Sequence, residues 1–177
     1  LEDVGVPIQE KTNEELYGLI LPKGSKQEKA FIRLVATFVT LVKSSCKSVK
    51  EVLKQAKNAD DERSVFIIKN IFQPVYERYI SALSDSNQID FTDAILQATE
   101  ICRASHPVEY DYIIVDEFQD ISVDRYNFLK VLRDGNPPAK LYCVGDDWQS
   151  IYRFSGSDMA LFNQFPEYFG ATEINKI

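Results

Sequence analysis

The 177-residue sequence lacks several features that define whole classes of protein. No apolar run approaches the roughly 20 residues of a membrane-spanning helix, and the first residues lack the basic start of a signal peptide. We therefore expect a cytoplasmic protein without a membrane segment. Its three cysteines, Cys46, Cys102 and Cys143, are an odd number without metal-ligand spacing. Their apolar neighbours predict buried, reduced thiols rather than a disulfide framework.

The sequence also lacks an excess of basic residues, since its net charge is −7. A protein that binds nucleic acid over a broad surface normally carries a basic footprint, so any such contact here must be local. The acidic excess lies almost entirely in residues 89–177, whereas residues 1–88 are nearly neutral. We therefore expect two parts with different chemistry, divided near residue 88.

Residues 1–88 are predicted to be mainly helical. Apolar residues recur at helical spacing over about 27–44, and a second helix is predicted from residue 49. A third helix is predicted over about 61–83, with a kink or restart at Pro74, which lacks a backbone N–H. Beyond this part, Asp90 is the expected N-cap of a helix that runs to Ala104.

Residues 89–177 change to an alternation of strand and helix. The short apolar runs 112–115 and 141–144 are typical of strands buried in a parallel sheet, and residues 122–133 between them have helical spacing. This order predicts a βαβ unit within an α/β fold. Functional loops of such units lie at the carboxyl ends of the strands, and both strands here are followed by acidic residues.

The first acidic end carries Asp116 and Glu117. Metal-assisted phosphoryl transfer needs one anion to hold hydrated Mg²⁺ and another to position or deprotonate the attacking water. Asp116 suits the first role and Glu117 the second. An isolated Asp-Glu pair is more often a solvated strand end, so the interpretation depends on the residues that follow the second strand.

The second acidic end runs from Val144 through Gly145, two aspartates and Gln149 to an aromatic segment. Gly145 permits a sharp turn, and Gln149 has the reach to contact a phosphate oxygen or the attacking water. Tyr152 and Phe154, which flank Arg153, can offer flat faces to unstacked bases or anchor a core. If the segment is extended, the two rings lie on the same side.

These residues together resemble motifs of a known family. Residues 116–120, Asp-Glu-Phe-Gln-Asp, resemble the Walker B motif of the UvrD/Rep family of superfamily 1 DNA helicases, and residues 144–153 resemble its motif III. Residues 154–156 are similar to helicase IV-type members. Weaker similarities at 76–79 and 89–93 extend the resemblance to roughly residues 76–160. Residues 1–75 match only by position and helical character, and would fall in the insertion called 1B.

The resemblance implies a partial P-loop NTPase (RecA-like) parallel sheet in residues 89–177, plus a mainly helical 1B-like subdomain in residues 1–88. It implies ATP and Mg²⁺ as cofactors, with Asp116 holding Mg²⁺, Glu117 activating water and Gln149 sensing the γ-phosphate. Gln119 and Asp120 would orient or link neighbouring groups.

The same resemblance assigns the DNA contacts and the partners. The residues expected to contact single-stranded DNA are Tyr152, Arg153 and Phe154. The expected partners are single-stranded DNA, junctions of single- and double-stranded DNA, and the remaining helicase domains.

A phosphate-binding Walker A loop, with two glycines four residues apart followed by Lys and Ser or Thr, is absent from the sequence. We therefore expect a piece of a longer helicase that is inactive by itself. Two alternatives stay open. One is a metal-dependent nuclease or phosphatase built from Asp116, Glu117, Asp146 and Asp147, and the other is a non-catalytic interaction module.

A set of lysines at helical spacing has two interpretations. Their side chains would share one helical face that contacts DNA phosphates, or they would form the solvated face of an amphipathic helix. The lysines are Lys43, Lys47, Lys50, Lys54 and Lys57.

Overall fold

The structure is a computed structural model that describes residues 22–105, 109–149 and 158–175. The chain divides into two compact units, Leu1–Ala36 and Thr37–Ile177. Helix α1 spans Lys26–Ser44. Its first residues belong to the first unit and its last residues to the second. The second unit contains every other helix and strand described below.

The remaining helices before the sheet are α2 at Val49–Asn58, α3 at Glu62–Ile67, α4 at Gln73–Asp85 and α5 at Phe91–Ser105. The predicted helices 27–44 and from 49 are confirmed by α1 and α2. Helix α2 begins with a capping box, in which the Ser48 side chain accepts from the Glu51 N–H and the Glu51 carboxylate accepts from the Ser48 N–H.

The predicted third helix is interrupted just before Pro74, as the sequence indicated. A single π-helical turn, Ile68–Phe72, joins α3 to α4, and the Gln73 N–H donates to the carbonyl of Ile68, five residues back. Pro74, which has no N–H to donate, lies in the first turn of α4, directly after this π-helical turn. Phe72 is buried and stacks on Phe38, with ring centroids 4.2 Å apart.

Three helix ends share one chain reversal that the sequence analysis did not predict. Each has a residue with positive φ two positions after the helix, followed by a backbone bond that spans five residues, as in the Schellman motif. The positive-φ residues are Cys46, Asp60 and Asn87. Cys46 is exposed, and Cys102 and Cys143 are only partly buried. The prediction of buried thiols is therefore wrong for Cys46 and only partly met by the other two, whereas all three are free as predicted.

Helix α5 confirms Asp90 as an N-cap, since Asp90 Oδ1 accepts from the Asp93 N–H at 2.8 Å. The same aspartate pairs with Lys43 at the end of α1, whose Nζ lies 2.6 Å from Asp90 Oδ2 and 2.6 Å from Asp93 Oδ1. Tyr79 of α4 donates its hydroxyl to Asp90 Oδ2 at 2.8 Å. This Lys43 cluster, comprising Lys43, Tyr79, Asp90 and Asp93, joins helices on both sides of residue 88. The division near residue 88 stays a prediction.

Lys43 is therefore not part of an exposed lysine face. It is 6% exposed and lies on α1, whereas Lys50, Lys54 and Lys57 are exposed on α2. The helical spacing is interrupted by the reversal at Cys46, which separates the two helices. Only the lysines after that reversal remain candidates for a surface contact.

The predicted βαβ unit is confirmed. Strand β1 at Tyr112–Val115 and strand β2 at Lys140–Cys143 pair in parallel, with Ile113 opposite Leu141, and helix α6 at Val123–Asp134 connects them. The described residues thus form a mixed helical structure with a two-stranded parallel sheet. Two short helices follow, α7 at Met159–Asn163 and α8 at Phe165–Phe169.

One face of this sheet packs on α6, α7 and α8. The buried core residues are Ile113, Phe118, Ile121, Leu129, Leu161 and Phe169. The opposite face is exposed, with Ile114 71% accessible. Among the described residues no helix is long and apolar enough to cross a membrane.

Candidate functional site

The two acidic strand ends lie side by side. The Val144 N–H donates to the Val115 carbonyl at 2.9 Å, and the Phe118 N–H donates to the Val144 carbonyl at 2.8 Å. These bonds continue the pairing beyond the last strand residues. They hold the turn at 116–117 against the loop at 145–146, as expected for the carboxyl ends of adjacent parallel strands.

Glu117 adopts a left-handed backbone conformation with φ of 51° and ψ of 43°, which is uncommon for a residue with a Cβ. The turn is supported by Asp116, whose Oδ1 accepts from the Glu117 N–H at 2.9 Å. It directs Phe118 into the core, where its ring lies 5.2 Å from Phe165, while Asp116 and Glu117 remain exposed. The local strain therefore separates a buried anchor from two surface carboxylates.

Gln119 bridges the two strand ends from a buried position. It is 1% exposed, its Nε2 donates to Glu117 Oε2 at 2.6 Å, and its Oε1 accepts from the Asp146 N–H at 3.0 Å. The sequence analysis expected Gln119 to orient or link neighbours, but neither its burial nor its partners. These depend on which residue of the second strand end lies opposite.

Gly145 has a different role from the predicted one. Its φ lies outside the left-handed region, so Gly145 is not needed here for a backbone conformation that only glycine adopts readily. A Cβ at this position would lie 2.6 Å from Gln119 Oε1 and 2.8 Å from the Phe162 ring. The absence of a side chain permits this close packing.

Gln149 ends a single 3₁₀ turn, Asp147–Gln149, and is exposed. Both oxygens of the Asp146 carboxylate fix this turn, because Oδ1 accepts from the Trp148 N–H at 3.0 Å and Oδ2 accepts from Gln149 Nε2 at 2.7 Å. Sequence reasoning missed this role of Asp146. The sequence does contain a signal for it. An aspartate is followed two residues later by a backbone N–H donor and three residues later by a side-chain amide donor, an arrangement similar to an Asx turn.

The remaining predicted DNA-contact residues, Tyr152, Arg153 and Phe154, lie outside the described residues. Trp148, just before Gln149, is 92% exposed. The structure therefore positions Asp116, Glu117 and Gln149 at one edge of the sheet. The proposed stacking segment stays a prediction.

An open pocket of about 510 Å³ extends from this edge along β1 and α6. Asp116, Glu117 and Asp120 line its polar part, together with Arg125, whose Nη1 lies 3.5 Å from the Asp120 carbonyl. Within the described ranges, Asp120 Oδ1 is buried without a hydrogen-bond partner. The pocket thus places several carboxylates around a cleft that is otherwise apolar.

The carboxylates at this edge are suited to a metal ion that is bound jointly by the protein and by a phosphate-bearing ligand. Among the described residues no group of three or more His, Cys, Asp or Glu side chains could hold a metal ion. Mg²⁺ in phosphoryl-transfer sites usually keeps several waters and takes one or two carboxylates together with phosphate oxygens. The exposed Asp116 carboxylate fits that limited role.

Comparison with known proteins now defines the class. The profile of the UvrD/REP helicase N-terminal domain matches residues 6–170, and the chain belongs to this family. It is 42% identical over 104 residues to DNA helicase IV of Escherichia coli (strain K12), a match that covers 58% of the chain and 15% of that protein.

Two further relatives carry similar names. The chain is 32% identical over 120 residues to the probable DNA helicase II homolog of Rickettsia conorii (strain ATCC VR-613 / Malish 7), covering 62% of the chain and 18% of the relative. It is 35% identical over 107 residues to the putative ATP-dependent DNA helicase YjcD of Bacillus subtilis (strain 168), covering 56% and 14%. The chain thus spans less than a fifth of the length of these three relatives.

Proposed function

We propose that this chain carries part of the hydrolysis centre of an ATP-dependent DNA helicase. The full-length gene product would couple Mg-ATP hydrolysis to translocation on single-stranded DNA and to separation of duplexes at junctions. Residues 1–88 would be a 1B-like helical subdomain, and residues 89–177 part of a RecA-like, P-loop NTPase domain. Family membership and the names of the relatives support this proposal. The compartment we propose is the cytoplasm.

The observation that carries the proposal is the pair of exposed carboxylates beside Gln149. Among the described residues, no ion pair joins Asp116 or Glu117 to a cationic side chain, although both extend from a rigid strand end. Exposed carboxylates without an ion-pair partner are available to a hydrated cation. In the proposal, a magnesium-bound nucleotide would supply that cation, and the attacking water would lie beside Glu117.

In this mechanism Asp116 would hold the metal, and bound Mg²⁺ would neutralise charge on the phosphates. Glu117 would take the proton of the attacking water. The Gln119 side chain already donates to Oε2, so that Oε1 would be the accepting oxygen. Gln149 would contact the γ-phosphate through the part of its amide that Asp146 does not hold.

Residues beyond Gln149 would connect this centre to DNA. In the proposal, Tyr152 and Phe154 stack on single-stranded bases and Arg153 contributes charge near the backbone. Stacking on aromatic faces tolerates any base, which suits a motor that moves along DNA of any sequence. The net charge of −7 is compatible with such a local contact.

The alternative nuclease or phosphatase would use Asp146 as a metal ligand beside Asp116 and Glu117. The structure favours it less, because both Asp146 oxygens already accept hydrogen bonds from the turn that they cap. The non-catalytic interaction module would leave the exposed carboxylates without a chemical task. The helicase and these two alternatives each predict a different biochemical activity.

The test uses the purified full-length gene product. The proposal predicts Mg²⁺-dependent ATP hydrolysis that single-stranded DNA stimulates, and ATP-dependent strand separation on a junction substrate. Mg²⁺-dependent DNA cleavage without ATP would support the nuclease instead, and neither activity would support the interaction module. The isolated 177-residue chain should show no ATPase activity, because it contains no lysine-bearing phosphate loop.

A further inference from the structure

We propose that Gln119 is a positioning residue that relays the state of the loop after β2 to Glu117. The inference rests on the proposed function, because it assigns regulation to the same hydrolysis centre. It states that the geometry of the Glu117 carboxylate depends on where the Asp146 backbone lies. A shift of that loop would therefore change the rate of hydrolysis rather than the binding of nucleotide.

The side-chain amide of Gln119 has only one orientation that satisfies both of its partners. A carboxylate oxygen only accepts hydrogen bonds and a backbone N–H only donates them. The NH₂ of Gln119 must therefore face Glu117, and its oxygen must face Asp146, as the contacts of 2.6 Å and 3.0 Å show. Reversing the amide would place two acceptors together and two donors together.

The Gln119 side chain is also confined by the residues around it. Gln119 is 1% exposed, so water does not readily replace either bond, and an unmade bond at a buried amide is costly. Gly145 packs so closely that even one added carbon would lie 2.6 Å from the Gln119 oxygen. The side chain therefore has little room to keep one partner when the other moves.

The hydrogen bonds of Gln119 also continue towards the segment proposed to contact DNA. Asp146 donates its N–H to Gln119 and uses its carboxylate to hold the Trp148 N–H and Gln149 Nε2. A connected series of hydrogen bonds thus runs from Glu117 through Gln119 and Asp146 to Gln149. Residue 152, where the proposed stacking begins, lies three positions further along the chain.

Two variants of the full-length gene product test the relay. Gln119→Met keeps similar volume but removes both bonds, and should lower kcat by about 10²-fold, the cost of a small misplacement of a reacting group. The KM for ATP should change little. Gln119→Glu keeps the acceptor for Asp146 but loses the amide donor to Glu117. It should therefore also lower kcat while the KM for ATP changes little.

The matched control is Gln73→Met. Gln73 also donates its Nε2 to a glutamate, Glu77, at 2.8 Å, but the pair lies exposed on α4. This variant should keep the wild-type kcat and the wild-type KM for ATP. Glu117→Gln provides the reference for a lost base.

The outcomes separate the relay from the function on which it rests. If Glu117→Gln is inactive while both Gln119 variants keep the wild-type kcat, the relay is wrong and the proposed function stands. If wild-type protein hydrolyses no ATP, the proposed function itself is wrong. A lower melting temperature with unchanged kinetics in Gln119→Met would assign Gln119 a purely structural role. Should Gln119→Met fail to fold, the kcat and KM of Gln119→Glu decide: a wild-type kcat would reject the relay, and a lower kcat at unchanged KM would support it.

Discussion

The Lys43 cluster and the strand-end site are both rich in carboxylates, yet their environments differ. In the Lys43 cluster, the Lys43 side chain is 4% exposed and its ammonium group contacts both Asp90 and Asp93, so the charges satisfy one another. At the strand ends, Asp116 and Glu117 are exposed, and the buried group that holds Glu117 is a neutral amide. The comparison indicates that the first cluster stabilises the fold. In the proposed function, the carboxylates of the second would instead be available to a ligand.

The largest expected effect breaks the Lys43 cluster. Lys43→Met should lower the free energy of unfolding by about 3–5 kcal/mol, because two carboxylates lose a nearly buried partner. Urea denaturation of the full-length protein measures this loss. Lys47→Met, at an exposed position, is the control. If the comparison is right, folded Lys43→Met keeps its ATPase kcat, and a selective loss of kcat would contradict it.

The next effect concerns the metal at the strand-end site. Asp116→Ala should raise the Mg²⁺ concentration needed for half-maximal ATPase activity by roughly 10–100-fold, since a proposed metal ligand is removed. Asp111→Ala, which changes an exposed aspartate before β1, should leave the magnesium titration unchanged. Equal titration curves for wild type and Asp116→Ala would reject the assignment of Asp116.

A third effect tests whether the aromatic segment belongs with the strand-end site. Phe154→Ala should weaken single-strand binding by about 1–3 kcal/mol with little dependence on base identity. A core anchor would instead lose about 3–5 kcal/mol of folding stability. Measuring melting and DNA affinity together separates the two roles. Phe66→Ala, at an exposed helical phenylalanine, is the control.

The smallest expected effect is the acid sensitivity of the Lys43 cluster. Burial raises the pKa of Asp90, but hydrogen bonds from Lys43, the Asp93 N–H and Tyr79 outweigh it and leave the pKa below its usual 3.8. Asp90 therefore contributes stability above that usual value, which is lost as the pH falls through the lowered one. Asp90→Asn, which can still cap α5, should lose less stability than wild type on acidification. An identical acid dependence would contradict this contribution.

At high pH the sign reverses for the partner of Asp90. Burial lowers the pKa of Lys43, but its hydrogen bonds and attraction to Asp90 and Asp93 outweigh burial and leave the pKa above its usual 10.5. This contribution is complete below that usual value and disappears as the pH rises through the higher one. The contribution of Lys43 and Asp90 to the free energy of unfolding should therefore vary little near neutral pH.

Local signals in the sequence predicted much of this fold. Helical spacing, the Asp90 cap and the two apolar runs are properties of neighbouring residues, and they placed the helices and the parallel strands. The sequence indicated an interruption at Pro74 but not that it takes the form of a π-helical turn, and it did not indicate the positive φ at Cys46, a residue type not favoured in that conformation. The pairing of Lys43 with Asp90 joins residues 47 positions apart, which periodicity does not reveal.

The candidate site divides in the same way. The motif resemblance identified Asp116, Glu117 and Gln149, because their residue types and order are visible in the sequence. The contact of Gln119 with the Asp146 backbone and the close approach at Gly145 depend on the alignment of two strand ends. They became evident only once the turn at Glu117 and the loop after β2 were placed together.

The most direct test of the account is single-turnover ATP hydrolysis by Glu117→Gln in the full-length gene product. The account predicts ATP binding close to wild type, an unchanged melting temperature, and hydrolysis slower by roughly 10²–10⁴-fold, as for loss of a positioned general base. Glu109→Gln, at an exposed position before β1, should hydrolyse ATP normally. Wild-type hydrolysis by Glu117→Gln would show that the strand-end site is not the hydrolysis centre described here.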